Sequence, residues 1–282
     1  AVNGGRVNGY RQWASDLLGS LRVVAPLYSE EIYFVVHKDS AMQELQDIAG
    51  KRLAIGPDGS GSNLTAKNIY CKLFGKAPVV VKPFIEEGVI GSDDNTKYTR
   101  SALWHLAHPD AGPDERKVDV VVIVGGQPLP LLQRLGKDYK LLASNIKNDV
   151  LESLLKDYSI GFADQKNYPF LPKHTPVMMV QSYLVTAQFR DKQRSDFVKK
   201  FAGALCENYS KLYEYGHDKW KALVWSPAHP QLPSLLSGWR YSDITKPVLE
   251  NCNSGGNHDQ VKTVAADALS CTIEDRAIGF CQ

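Results

Sequence analysis

The segment from Arg52 to Leu73 constrains this chain more than any other. Arg52-Leu53-Ala54-Ile55-Gly56 reads as a short buried strand, Pro57-Asp58-Gly59-Ser60-Gly61-Ser62-Asn63 as a loop of small residues, and Leu64 to Leu73 as a helix that Gly75 closes. Val79 to Val81 begins another strand. Strand, helix and strand in that order make a β-α-β unit, which needs a parallel sheet with helices on its faces. A chain of 282 residues is long enough to build two cores of this kind.

The rest of the chain fits the same class. Leu21 to Val36 reads as two strands broken at Pro26, and Ser40 is placed to cap a short helix over Ala41 to Ile48. Gly88 to Pro113 is long and polar, and reads as an insertion holding a helix over Thr99 to Ala107. Val118 to Val124 is a second buried strand. It ends at Gly125-Gly126-Gln127-Pro128, and a helix follows over Leu129 to Leu135. Further on, Tyr139 to Ala143 and Val177 to Thr186 read as strands, and Val150 to Leu155 and Val261 to Leu269 as helices. Arg190 to Tyr215 reads as one long helix with Phe197, Phe201, Leu205, Tyr209 and Leu212 on its apolar face.

Composition narrows the function. The formal charge is +2, from 33 basic and 31 acidic residues, so no basic excess is available to displace counterions from nucleic acid. The longest apolar run, Val118 to Val124, is far short of the ~18 residues that a membrane span needs. Ala1 opens a polar, Gly-rich segment and not a secretory leader, so the chain reads as mature or cut. Cys252, Cys271 and Cys281 lie in the last 31 residues, a stretch with little apolar mass that disulfides would pin; with Cys206 their pairing stays open among three arrangements. Cys71 falls in a helix and is expected to be a buried core thiol. No Cys-x-x-Cys pair exists, and no metal or other cofactor is expected. His105 and His108 are three apart, but a solvated helix face explains them without a metal. None of the seven histidines sits in a motif that sets a base beside a nucleophile, so an enzyme is not expected.

Two loops have the chemistry of anion sites. The first turn of a helix leaves backbone N–H groups without partners, and the helix dipole adds partial positive charge there. At the first loop Gly59 and Gly61 allow close approach to the backbone, while Ser60, Ser62 and Thr65 offer hydroxyls. A plain strand-to-helix turn with a Ser or Asn cap is the competing explanation. The sequence is neither a P-loop, lacking the closing Gly-Lys-Ser/Thr, nor a nucleophile elbow. The second loop, Gly125-Gly126-Gln127, also follows a strand and precedes a helix, with close helix packing as its competing explanation. If the two strands are parallel neighbours, both loops open at the edge where α/β sheets bind ligands.

Pro26-Leu27-Tyr28-Ser29-Glu30-Glu31, Phe34-Val35-Val36-His37-Lys38-Asp39-Ser40, Leu45 to Arg52, Gly56 to Ser62, and Val118 to Pro130 together resemble the TAXI family, the extracytoplasmic solute receptors of one class of TRAP transporter. The likeness runs from about Leu21 to Thr186. It implies an α/β fold of the type II periplasmic-binding-protein kind, two α/β lobes with a ligand cleft between them. Lobe I would hold residues 1–39 and 175–282, incomplete at its N-terminus because the family opens with a further β-α-β segment of about 70 to 80 residues. Lobe II would hold residues 40–174. The resemblance implies a periplasmic, monomeric receptor for a small anionic solute, glutamate-like or a dicarboxylate, delivered to TRAP membrane subunits. Ser60, Gly61, Ser62 and Thr65 would bind its carboxylate, Gly125, Gly126 and Gln127 would line the same cleft, and Tyr28 would contact the ligand from the lobe boundary. A sensing module of a larger receptor and an enzyme on the same fold are the alternatives.

Overall fold

The computed structural model describes residues 19–81, 102–110, 117–146, 149–223, 225–227, 231–235 and 239–252. The helix expected over Val261 to Leu269, most of the Gly88 to Pro113 insertion, Cys271 and Cys281 lie outside the described residues. The chain is mixed α/β, consistent with a periplasmic-binding-protein-like architecture. It divides into two compact units, and crosses between them after Tyr28 and again after Val180.

The unit of Ser29–Val180 holds most of a seven-stranded sheet. Its strands are β1 (Leu21–His37), β2 (Arg52–Ala54), β3 (Val79–Val80), β4 (Val120–Gly125), β5 (Tyr139–Leu141), β6 (Ser159–Ala163) and β7 (Thr175–Ala187), with β1 and β7 continuing into the other unit. The order is β3-β2-β4-β1-β7-β6, with β5 also pairing β1. β2 is parallel to both β3 and β4, with Leu53 opposite Val120 and Ala54 opposite Val121. β1 returns antiparallel, with Glu31 opposite Gly125 and Tyr33 opposite Ile123.

Alternation along the central strands sorts side chains into two cores, because successive residues of a strand point to opposite faces. Ile32, Phe34, Val36, Leu53, Val120 and Val122 pack on one face with Ala66, Ile69 and Tyr70 of helix α1 (Gly61–Phe74). Tyr33, Val35, Ala54 and Val121 pack on the other, with Leu106 of α2 (Ala102–Ala107) and Leu132 of α3 (Pro130–Gln133). Helix α4 (Asp149–Leu155) joins the first face through Leu154. At the far ends of β2 and β4, Arg52 grips Asp119 through Nε and Nη2 at 3.0 and 2.9 Å.

The other described unit has its own core of Val24, Ala25, Ala202, Leu205, Trp225 and Leu249. It is built on α5 (Lys192–Glu207), α6 (Tyr209–Tyr215) and α7 (Lys246–Glu250). Cys206 and Cys252 form a disulfide that joins the end of α5 to the residues just past α7.

Five local expectations are corrected. Leu21 to His37 is one strand and not two, because proline holds φ in a range that an extended chain already uses. The helix expected from Ala41 shrinks to a single turn, Leu45–Ile48, because Asp47 accepts the N–H groups of Gln43 and Glu44 at 2.7 and 3.0 Å and starts the turn there. Arg190 to Tyr215 is two helices, divided at Asn208, whose side-chain amide donates to the Ala204 carbonyl at 2.9 Å. The buried stripe of α5 is Val198, Ala202 and Leu205, whereas Phe197 and Phe201 are 70% and 46% exposed. Finally, Cys71 is exposed: α1 buries Ala66, Ile69 and Tyr70, and the next residue turns off that face.

Candidate functional site

Parallel neighbours β2 and β4 send their following helices to opposite faces of the sheet. α1 packs on the Val120 and Val122 side, and α3 on the Val121 side. The two connections leave in opposite directions from the carboxyl ends of neighbouring parallel strands. That is the topological switch point at which open α/β sheets take ligands. The Ser60 loop and the Gly126 loop both lie at this edge.

At the first loop, Ser60 is the N-cap of α1. Its Oγ accepts the Asn63 N–H at 3.2 Å, and its carbonyl accepts the Leu64 N–H at 3.0 Å. Gly59 has φ +83°, a left-handed conformation that a side chain would strain. The cap uses Asn63 and Leu64, and among the described residues the N–H groups of Gly61 and Ser62 have no acceptor. The hydroxyls of Ser62 and Thr65, both half-buried, likewise make no hydrogen bond within the described protein. Asn63 is 1% exposed and lies across the loop, its Nδ2 donating to the Gly56 carbonyl at 3.1 Å. Its Oδ1 is buried without a partner. Asp58 is paired with Lys67 at 2.9 Å, and that ammonium holds the Asp58 carboxyl below the usual carboxylate range. α1 itself is anchored by Tyr70, whose hydroxyl accepts the Gly50 N–H at 2.8 Å.

The second loop is arranged differently. Gly125 is buried, and a Cβ there would meet Leu129 Cδ1 at 3.2 Å, so glycine at this position serves close packing. Gln127 donates its backbone N–H to Glu31 Oε2 at 2.9 Å and its Nε2 to Glu31 Oε1 at 3.1 Å. Its Nε2 also donates to the Phe162 carbonyl at 2.8 Å, while its Oε1 accepts the Asp164 N–H at 3.0 Å. The Gln127–Pro128 bond is cis. Tyr168 Oη accepts the Leu129 N–H at 3.0 Å and bonds Tyr33 Oη at 2.8 Å. Burial, with the Glu31 charge behind it, pushes the Tyr33 hydroxyl's pKa up, and burial does the same for Tyr168. Both phenols are therefore neutral hydrogen-bonding groups at any physiological pH.

Ser60, Gly61, Ser62 and Thr65 thus stand together on one helix start. Gly125, Gly126 and Gln127 end the adjacent parallel strand. Tyr28 belongs to the other unit, where its ring lies 6.4 Å from those of His217 and Trp220. Among the described residues no group of His, Cys, Asp and Glu is placed to hold a metal. His105 and His108 both pack against the Trp104 ring, at 5.0 and 4.5 Å.

Residues 5–87 match the NMT1-like family.

The NMT1-like match covers under a third of the 282 residues. It takes in β1, β2, the Ser60 loop, α1 and β3, and stops short of the Gln127 loop. The likeness is to a periplasmic-binding-protein-like family, and solute binding in general is the activity it points to.

Sequence reasoning passed over two residues that shape the site. Glu31 is 1% exposed and supplies the carboxylate that the second loop binds. An acidic residue directly ahead of the run Ile32 to Val36 was the available signal. Asn63 read as a loop residue, yet it is the buried third residue of the helix, and nothing in its spacing distinguished it.

Proposed function

We propose that this chain is a solute-binding receptor without chemistry of its own, capturing a small anionic solute of the glutamate-like or dicarboxylate class. The observation that carries the reading is the carboxyl edge between β2 and β4, where the Gly61 and Ser62 amides and the Ser62 and Thr65 hydroxyls have no partner among the described residues. A carboxylate placed there meets fixed donors and the positive end of a 14-residue helix. Such donors are preorganised and cost little reorganisation on binding. The NMT1-like match over residues 5–87 supports solute binding in general. The finer reading is a TAXI-type, extracytoplasmic receptor that hands its load to TRAP membrane subunits. It rests on the sequence likeness of Pro26 to Asp39 and Gly56 to Ser62.

A thermal-shift panel of amino acids, dicarboxylates and their neutral amides tests the proposal. A true ligand at 100 times its Kd stabilises the protein by about 2.7 kcal/mol. A folded protein that no carboxylate in the panel stabilises overturns the reading.

A further inference from the structure

The Ser60 loop carries a charge pair. Lys67 lies six residues beyond Gly61, about 9 Å along α1. Helical side chains lean back toward the N-terminus, and the Lys67 ammonium meets Asp58 Oδ1 at 2.9 Å. Asp58 sits in the turn that feeds the cap, closed by the Ser60 N–H on the Pro57 carbonyl at 3.2 Å. A cation from the second turn of the helix is thereby held beside the helix start. The side chains of Asp58 and Lys67 are 87% and 41% exposed, so water screens the pair and its geometry is easily exchanged for another.

The hydroxyl donors lie on the other flank of α1. At about 100° per residue, Ser62 and Thr65 stand about 140° and about 160° around the helix from Lys67. Hydroxyls and ammonium therefore flank the helix start, about one helix diameter of 10 Å apart. The Gly61 and Ser62 amides point out of the helix end between them. A four- or five-carbon diacid with a hydrogen bond of ~2.8 Å at each end spans that gap. Asn63 independently marks the loop as a site: it is 1% exposed, lies across the loop, and leaves its Oδ1 without a partner. Buried polar atoms left unanswered in this way are rare and mark places where a ligand or water completes the network.

We propose that Lys67 reads the solute's second carboxylate and so sets the preference for a glutamate-like or dicarboxylate ligand over a monocarboxylate. The inference rests on the solute-binding reading above and deepens it within the same ligand class. One carboxylate takes the Gly61 and Ser62 amides with the Ser62 and Thr65 hydroxyls. The other takes the Lys67 ammonium, whose three N–H donors are not exhausted by one Asp58 oxygen. Asp58 competes for that ammonium and repels the incoming charge, but the nearer cation outweighs the farther carboxylate. A neutral amide in the same place gains no ion pair. The diacid is favoured over its monoamide by about two- to fivefold, the contribution of one exposed ion pair.

The experiment is a calorimetric titration of the full chain and its variants with matched pairs: glutamate and glutamine, aspartate and asparagine, succinate and succinamate. In every pair that binds, the wild-type protein is expected to favour the diacid by about two- to fivefold at low salt. Lys67→Gln should bring the two members of a pair level, and Lys67→Arg should keep them apart. Asp58→Asn removes the competitor and should widen the ratio about twofold or more, a gain that a merely structural role of the pair does not produce. That variant carries the test if Lys67→Gln does not fold. Three results overturn the inference and leave the receptor reading standing: a wild-type protein that binds the amide as tightly as the acid, a Lys67→Gln protein that keeps the wild-type ratio, or an Asp58→Asn ratio no wider than wild type. Binding by no member of any pair overturns both.

Discussion

Glu31 and Gln127, 96 residues apart, clasp each other at the end of β4: the backbone and side-chain N–H groups of one glutamine meet the two oxygens of one carboxylate at 2.9 and 3.1 Å. The clasp fixes the loop that follows β4 to the neighbouring strand β1 and, through the Phe162 carbonyl, to β6. Removing the glutamine side chain takes a donor from a carboxylate that is 1% exposed. Gln127→Ala is expected to destabilise the fold by about 2–4 kcal/mol, since a buried charge losing a partner is costly. Glu31→Gln keeps the shape and is expected to cost about half as much. Urea unfolding followed by circular dichroism measures both, and a Gln127→Ala midpoint equal to wild type contradicts the role.

The Ser60 loop separates stability from binding. Ser60→Ala removes the cap on Asn63 and is expected to cost about 1 kcal/mol. Ser62→Ala and Thr65→Val remove hydroxyls that no described residue uses, so stability should stay within about 0.5 kcal/mol of wild type. Each should weaken solute binding about ten- to a hundredfold, the loss of one hydrogen bond to a charged group. Paired unfolding and titration measurements check this division.

The Arg52–Asp119 pair gives a pH signature with a definite sign. Burial works against the Asp119 charge, but the Arg52 guanidinium and backbone N–H outweigh it and hold the carboxyl below the usual carboxylate range. The unfolded chain then takes up this proton first as pH falls. The stabilisation is complete above the ordinary value near ~3.9 and disappears as pH drops through the lower folded value. Asp119→Asn is expected to cost about 1 kcal/mol at pH 7, since the pair is partly exposed, and the difference from wild type should shrink toward zero as the medium is acidified through the lowered folded value. Unfolding free energies across the acid range test it.

Reduction of Cys206–Cys252 opens a loop with a sequence separation of 46. The chain-entropy argument puts its stabilising contribution at about 4 kcal/mol. A Cys206→Ser and Cys252→Ser pair should lower the unfolding temperature to the value that reductant gives the wild-type protein. Equal melting of all three forms contradicts it.

The parts that were legible in the sequence are those in which one local signal met one physical outcome. Gly56 to Asn63 between a strand and a helix gave the loop and a helix after it with a Ser or Asn cap, although α1 starts three residues earlier than read, at Gly61 behind Ser60. The α/β class followed from the same unit. α5 was misread because Phe197 and Phe201 share helical spacing with Leu205, and periodicity alone cannot tell a buried stripe from an exposed one. Val198→Ala is expected to cost about 1–2 kcal/mol, and Phe197→Ala about 0.5 kcal/mol or less. The second loop was illegible for a different reason. Its glycines and glutamine have the composition of an anion site, and they do hold a carboxylate, but it is Glu31 of the same chain. The acidic residue directly ahead of Ile32 was the local signal, and it did not say which loop its carboxylate would meet.

The central claim is that the start of α1 holds the solute, and amide hydrogen exchange at single-residue resolution tests it most directly. With a ligand from the panel at saturation, exchange at Gly61 and Ser62 is expected to slow at least tenfold, because those two N–H groups gain an acceptor that no described residue provides. A ligand that binds and leaves exchange at both residues unchanged places the solute elsewhere and contradicts the account.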